Sequence, residues 1–303
     1  MWKPLLILTV LLCITPVHYV SGSPPAAGPA PGPVSAHHIR SIGCVDPEIG
    51  FSFSPLGLCF GPSGELYVVD GDHTRILRMS ERLDTMEVFA YCPGEFDDCQ
   101  FIDIAADDAG MVYVSEKASG SILTFDRRGD FLSATHAGQG VAGIGIGRAG
   151  KICASLSLAG SVRIVDMTGA GDPVECPIPA DGANSYPVDC WVDRTGSVFV
   201  SETSSGRILV LGSLGDLQGN LSGFEFGGPF GICSYSDTLI LVSDSDLGLV
   251  TVFGAGKDLV ATFGHGVLDM PTFLDARGDG IVCVADAGKM SIEVFRIDTP
   301  QSK

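Results

Sequence analysis

Five carboxylates recur along the chain at nearly constant spacing. Asp70, Glu116, Glu202, Asp244 and Asp286 fill one repeat position, Leu156 fills the remaining copy, and successive positions lie 46, 40, 46, 42 and 42 residues apart. Hard oxygen donors arrayed on one rim suit Ca2+. An acidic side chain at a turn equally accepts N–H groups of its own backbone, and both readings stay open on the sequence. Two further carboxylates, Asp103 and Asp189, stand at a second repeat position whose other occupants are Gly57, Gly143, Gly231 and Phe273. If that position faces a central axis, the pair marks a ligand or metal site at the mouth of a channel, where concavity gathers. His73, His136 and His265 fall in connections predicted to face one side. Three imidazoles on one rim suit Zn2+, although their repeats are too far apart round a ring for one common ion, and a solvated loop histidine is the default. Ca2+ or Zn2+ is therefore the cofactor to consider. No Gly-rich phosphate loop, His-Glu-x-x-His motif, Ser-His-Asp order or Cys-x-x-Cys-His motif is present, so no residue is assigned a catalytic role.

The elements that must position these residues come from a sixfold repeat. Units begin at Pro55, Phe101, Val141, Tyr186, Pro229 and Met270. Each reads as an apolar strand a, a Gly/Asp turn, a strand b such as Leu66-Tyr67-Val68-Val69, a short turn, a strand c such as Arg75-Ile76-Leu77-Arg78, and a strand d such as Leu259-Val260-Ala261-Thr262-Phe263. β-branched and aromatic residues fill the strands while Gly, Asp and Ser mark the turns. No segment holds a helical period. Short strands in units of 40–46 residues predict an all-β fold, a six-bladed β-propeller of four-stranded blades. The sixth unit stops at Phe295-Arg296-Ile297-Asp298 without a strand d. The segment His37-His38-Ile39-Arg40-Ser41-Ile42-Gly43 resembles one, so the amino-terminal strand is predicted to complete the last blade and remove an unpaired edge.

The domain organisation follows. Residues 1–22 read as a secretory signal: Lys3, the apolar run Leu5 to Ile14, then Val20-Ser21-Gly22. The run is too short to span a bilayer, and no transmembrane span is expected after cleavage. Residues 23–36 are a Pro/Ala/Gly-rich linker, residues 37–298 the propeller, and residues 299–303 a tail. The predicted location is secreted, periplasmic or extracellular, and the expected state is a monomer. Of ten cysteines, Cys59, Cys233, Cys153 and Cys283 sit at strand positions that suit small buried thiols. Cys44, Cys92, Cys99 and Cys176 are placed in connections between repeats, where an oxidising compartment permits disulfides. Cys92–Cys99 would close the short loop CPGEFDDC, and Cys44–Cys92 is the rival pairing. Asn220-Leu221-Ser222 forms a glycosylation triplet if the source is eukaryotic.

Composition sets the outer bounds. The 303 residues include 40 glycines and 18 prolines and carry a net charge of −18. That charge excludes nucleic acid as a partner, since such binding rests on Lys and Arg neutralising phosphates. An apolar fraction of 45% excludes a disordered chain.

The units resemble the NHL-repeat β-propellers. The resemblance stands on Pro187-Val188-Asp189, Gly196, Val198-Phe199-Val200-Ser201-Glu202 and Arg207-Ile208-Leu209-Val210, and again on Ala285-Asp286 with Ile292-Glu293-Val294-Phe295. It covers about Ile39 to Asp298, and the third repeat departs most from it. It implies the six-bladed fold, which hosts lactonases, lyases and interaction modules alike. The amidating lyases that share the repeat use metal-bound histidines. Related lactonases use a Glu near the start with Asn and Asp near the axis, and neither Asn184 nor Asn220 holds an axial position here. The preferred reading is a secreted or envelope-located module binding a protein or peptide partner through its loop-rich rim. The alternative is a metal-dependent hydrolase or lyase, lactonase-like or amidating-lyase-like, at the channel mouth.

Overall fold

The computed structural model describes residues 34–43, 45–46, 51–96, 98–147, 150–169, 171–178, 185–236 and 238–299. Six four-stranded antiparallel sheets follow one another as blades. Blade 1 is Pro55–Phe60, Leu66–Asp70, Arg75–Met79 and Met86–Tyr91. Blade 2 is Phe101–Ala106, Val112–Glu116, Ser121–Phe125 and Phe131–His136. Blade 3 is Val141–Ile146, Lys151–Leu156, Ser161–Asp166 and Val174–Pro177. Blade 4 is Pro187–Val192, Val198–Glu202, Arg207–Leu211 and Leu217–Asn220. Blade 5 is Pro229–Tyr235, Leu239–Asp244, Leu249–Gly254 and Leu259–Phe263. In each, strands a to d run in chain order from the axis outward.

Blade 6 takes strands a to c from Pro271–Ala276, Ile281–Asp286 and Ser291–Asp298, and its outer strand from the amino-terminal Ser35–Gly43. The pairing is antiparallel, from Ser35 opposite Asp298 to Gly43 opposite Ser291. Ring closure by the amino-terminal strand is thus as the repeat arithmetic predicts. The strand begins two residues before the expected boundary, because Ser35 and Ala36 find ladder partners in Asp298 and Ile297. Residues 1–33, which hold the predicted signal and most of the linker, lie outside the described residues, as do Cys44 and Asn184. The only helical turn among the described residues is Thr203–Ser205. None of them forms a helix long and apolar enough to cross a membrane.

Apolar residues gather in the gaps between blades. Ile42, Leu66, Leu77, Ile292 and Val294 pack between blades 6 and 1; Leu241, Val252, Val284 and Phe295 pack between blades 5 and 6. Alternate strand residues reach opposite gaps, so both faces of every sheet are covered and the strands read as nearly continuous apolar runs. The buried thiols Cys59, Cys153, Cys190, Cys233 and Cys283 belong to this packing. So does Cys176, against the loop placement: it lies inside the outer strand Val174–Pro177 and points into the gap with blade 4, while Val174 and Glu175 stay exposed. Cys92 and Cys99 form the short-loop disulfide.

Every inner strand carries a bulge near its start, as between Pro55 and Leu58 or Phe101 and Ile104. The bulge turns the third residue toward the axis and takes its N–H out of the ladder. A serine on strand b receives that N–H: Ser115 from Asp103, Ser155 from Gly143, Ser201 from Asp189 and Ser243 from Gly231, at 2.8–3.0 Å. Three of these hydroxyls donate onward to the next blade, to the carbonyls of Val188, Phe230 and Thr272. This serine belt couples the inner strands of blades 3 and 4, 4 and 5, and 5 and 6.

Candidate functional site

Each strand b ends where strand a begins, as Asp70 opposite Pro55, and strand c starts there too, as Asp70 opposite Arg75. The b–c turns and d–a connections therefore share one end of the ring, called the upper end below. The recurrent carboxylates sit at that end, all buried. Asp70 accepts the Ser54 N–H at 2.9 Å and the Arg75 Nε at 2.8 Å, and His73 Nδ1 lies 2.9 Å from it. Glu116 accepts Gln100, Ala118 and Ser119 N–H groups at 2.7–2.9 Å. Glu202 accepts Tyr186 and Ser205 N–H groups and the hydroxyls of Ser204 and Ser205. Asp244 accepts Gly227, Gly228, Asp246 and Leu247 N–H groups. Asp286 accepts those of Asp269, Met270 and Lys289. The geometry is common to all: one carboxylate ties the segment entering strand a to its own blade's b–c turn. Burial opposes ionisation of Glu202, but the Ser204 and Ser205 hydroxyls outweigh it and hold the carboxyl below its ordinary range. At Asp244 burial wins over the Gly228 and Gly227 bonds and the carboxyl is pushed up.

These side chains are distributed one per blade rather than gathered. His73 is taken up by Asp70, His265 meets Thr262, and His136 is exposed at the end of its outer strand. Among the described residues no three His, Cys, Asp or Glu groups lie close enough to hold a metal ion. Blade 3 shows what happens without the acid. Leu156 packs under Gly138, where a Cβ would meet it, and Ser157 bonds the Gly140 carbonyl at 3.0 Å.

The axis holds the second group. Its upper part is filled by the second residues of the inner strands, with Leu56, Ile102, Ala142, Val188 and Phe230 all buried. Phe273 packs edge-on against Phe230 at 5.2 Å. Below this plug lies a cavity of about 180 Å3, lined by Asp103, Asp189 and Asp275 among apolar neighbours such as Ile144, Ile232 and Phe273. Its lining runs from the third to the sixth residues of the inner strands, so it extends toward the a–b turns, away from the upper end. Asp103 Oδ2 accepts the Ile144 N–H at 2.9 Å, Asp189 Oδ2 the Ile232 N–H at 2.9 Å, and Asp275 Oδ2 the Phe60 N–H at 2.8 Å. Carboxylates of blades 2, 4 and 6 thus reach the strand of the next blade in a threefold pattern.

Burial pushes all three carboxyls up: Asp189 to about 7, Asp275 to about 6, and Asp103 well above its ordinary range, with the Asp189 charge adding to the effect. The odd blades answer with glycine. A Cβ on Gly57 would come within 2.5 Å of the Asp103 Cα, and one on Gly143 equally close to the Asp189 Cα. Gly231 meets Thr272 and Phe273 in the same way. Small and large residues alternate round the axis so that inner strands touch. Asp275 and the serine belt escape a reading of the axial position alone. The signals for them are an Asp at the fifth inner-strand residue, where other units carry Cys59, Ala105 or Cys233, and the Ser before each b-strand acid in units two, four and five.

A closed ring of six four-stranded blades with an apolar axial plug defines a six-bladed β-propeller. The chain also aligns with human NHL-repeat-containing protein 4, 34% identical over 112 residues, which is 35% of this chain and 89% of that protein. The mouse protein of the same name is 34% identical over 113 residues, 35% of this chain and 81% of the relative. The chain belongs to the NHL-repeat-containing proteins. No family-wide sequence model matches it. Among solved structures it is similar to a streptogramin B lyase, with TM-score 0.65 and 14% identity over 88% of this chain and 98% of that one. It is also similar to a protein of unknown function from Bacteroides thetaiotaomicron, with TM-score 0.66 and 12% identity over 88% and 76%. At that identity the likeness is one of fold.

Proposed function

We propose that this propeller is an exported binding module that takes a protein or peptide partner on its upper end. The observation that carries the reading is the group of exposed apolar side chains there: Tyr91, Leu158, Leu247 and Met290. They stand on turns or strand ends of blades 1, 3, 5 and 6, among the exposed acids Asp72, Glu95, Asp98, Glu225, Asp246 and Asp269. Apolar side chains raised on rigid turns supply the contact area of an interface core, and a charged rim selects the partner's sign. The buried carboxylates fix most of these turns in advance, which lowers the ordering cost of binding. The rim's acidity favours a partner surface with Lys and Arg around apolar anchors. Export is supported by Lys3, the Leu5 to Ile14 run and the small residues before Ser23.

Hydrolase or lyase chemistry at the channel would call on Asp103 and Asp189. Their engagement with the N–H groups of Ile144 and Ile232 favours a structural duty instead. The test is proximity labelling of the full secreted chain, followed by titration of the captured partner against variants. Leu158→Asp combined with Leu247→Asp and Met290→Asp should weaken binding at least tenfold with unchanged unfolding temperature. Leu214→Asp, in the c–d turn at the opposite end, should bind as the parent does. Binding insensitive to the triple variant, or lost with Leu214→Asp, would overturn the assignment.

A further inference from the structure

We propose that Asn220 carries an N-linked oligosaccharide. Asn220-Leu221-Ser222 has the Asn-x-Ser form with no proline in the middle. The other asparagine, Asn184, is followed by Ser185-Tyr186 and forms no such triplet.

The fold presents this triplet for modification. Asn220 ends the outer strand Leu217–Asn220 of blade 4, opposite Leu209, so one side of it is held in the ladder and the other faces solvent. Leu221 is buried and its N–H bonds the Ile208 carbonyl at 2.9 Å. That anchors the middle residue while the Asn220 and Ser222 side chains stay exposed. The flanking glycines show the room available. A Cβ built on Gly219 or on Gly223 meets nothing within 4 Å, and both have positive φ, 144° and 88°. The triplet therefore sits on an open edge between two bends.

Two features of the surface fit a sugar there. The outer strand of blade 4 is an exposed edge, with Leu217 on it and Leu214 in the turn before it uncovered, a surface that invites pairing with another chain. A bulky polar group beside it would block that. The upper-end apolar side chains stand on blades 1, 3, 5 and 6, whereas the b–c turn of blade 4 presents Ser204 and Ser205. Asn220 lies on the outer edge of blade 4, which contributes none of those apolar side chains.

The reaction is transfer from a polyprenyl diphosphate-linked oligosaccharide in the export compartment. The Asn220 amide nitrogen bonds to the anomeric carbon, the anomeric carbon–phosphate oxygen bond breaks, the amide gives up one proton, and the polyprenyl diphosphate leaves. The inference rests on the export reading, so the experiment scores export separately. The full chain is expressed in secreting animal cells, and medium and cell fractions are compared before and after peptide N-glycosidase. Secreted protein should shift by one glycan step and show Asp in place of Asn at 220 by peptide mass after enzymatic release. Asn220→Gln and Ser222→Ala should both remove the shift, and Ser222→Thr should keep it. Secreted protein with unmodified Asn220, or a shift that survives Asn220→Gln, overturns the glycan while leaving export standing. Protein retained unmodified in the cytosol overturns both.

Discussion

Replacing Asp189 by Asn tests whether the axial carboxyls are protonated staples. In the native chain Oδ1 accepts the Cys190 N–H at 2.7 Å and Oδ2 the Ile232 N–H at 2.9 Å, while burial raises the carboxyl to about 7. An unfolded aspartate titrates near ~3.9. Between those values the unfolded chain has released the proton and the folded chain still holds it. Stability from this group is therefore full below about pH 4, falls as pH rises, and levels off above about pH 7. At ~1.36 kcal/mol per pH unit the whole window is worth about 4 kcal/mol, and the stretch from pH 5 to 8 about 3 kcal/mol. Asparagine cannot ionise, and it turns an NH2 toward one of the two donors at a cost of about 1–3 kcal/mol at every pH. Asp189→Asn is thus expected to lie about 0–2 kcal/mol below the parent at pH 5 and to overtake it by pH 8, the difference moving by about 3 kcal/mol. Urea unfolding followed through Trp191 reads both chains across that range; the variant also relieves Asp103 of the Asp189 charge that helps push its carboxyl up, which moves the difference in the same direction. A deficit independent of pH would refute the reasoning. A deficit that grows with pH would place an ionised carboxylate at the axis, the state a bound cation requires.

Gly143→Ala should lower stability by more than about 3 kcal/mol or prevent folding, because overpacking here falls on backbone that has no room to move; Gly171→Ala, with nothing within 4 Å, should change it by less than about 0.5 kcal/mol, both read by urea unfolding. Ile42, buried between blades 6 and 1, should cost about 2–5 kcal/mol on truncation to Ala. That loss should appear mainly as faster unfolding in stopped-flow measurements if the closing strand docks last.

The ring was legible because its signals repeat. Six units agree on where apolar strands and Gly turns fall and five of them on the b-strand acid, and the missing last strand could be matched to His37–Gly43 by pattern. The positions that escaped depend on what a residue meets across the ring. Asp275 reads as an isolated acid until blade 6 closes on blade 1 and brings the Phe60 N–H to it from 215 residues away. Cys176 looked like a loop residue because the weak exposed strand around it, Val174-Glu175-Cys176-Pro177, has only one buried position to announce it. The orientation of the axial cavity was likewise hidden. Asp103 and Asp189 were located by repeat position, but which end of the channel is plugged depends on the second residues Leu56, Ile102, Ala142, Val188 and Phe230 meeting at the axis.

The closing strand also decides how the ring bears load. Ser35 lies beside Asp298, so both ends of the propeller leave from the end opposite the b–c turns. A pull applied between those two ends opens blade 6 as a zipper, one residue pair after another. A pull between the amino-terminal segment and something held on the upper end acts along Ser35–Gly43 and shears all its pairs with Ser291–Asp298 together. The same hydrogen bonds are weak in the first geometry and strong in the second. A chain tethered through its amino-terminal segment would thus resist best a load applied at its upper end.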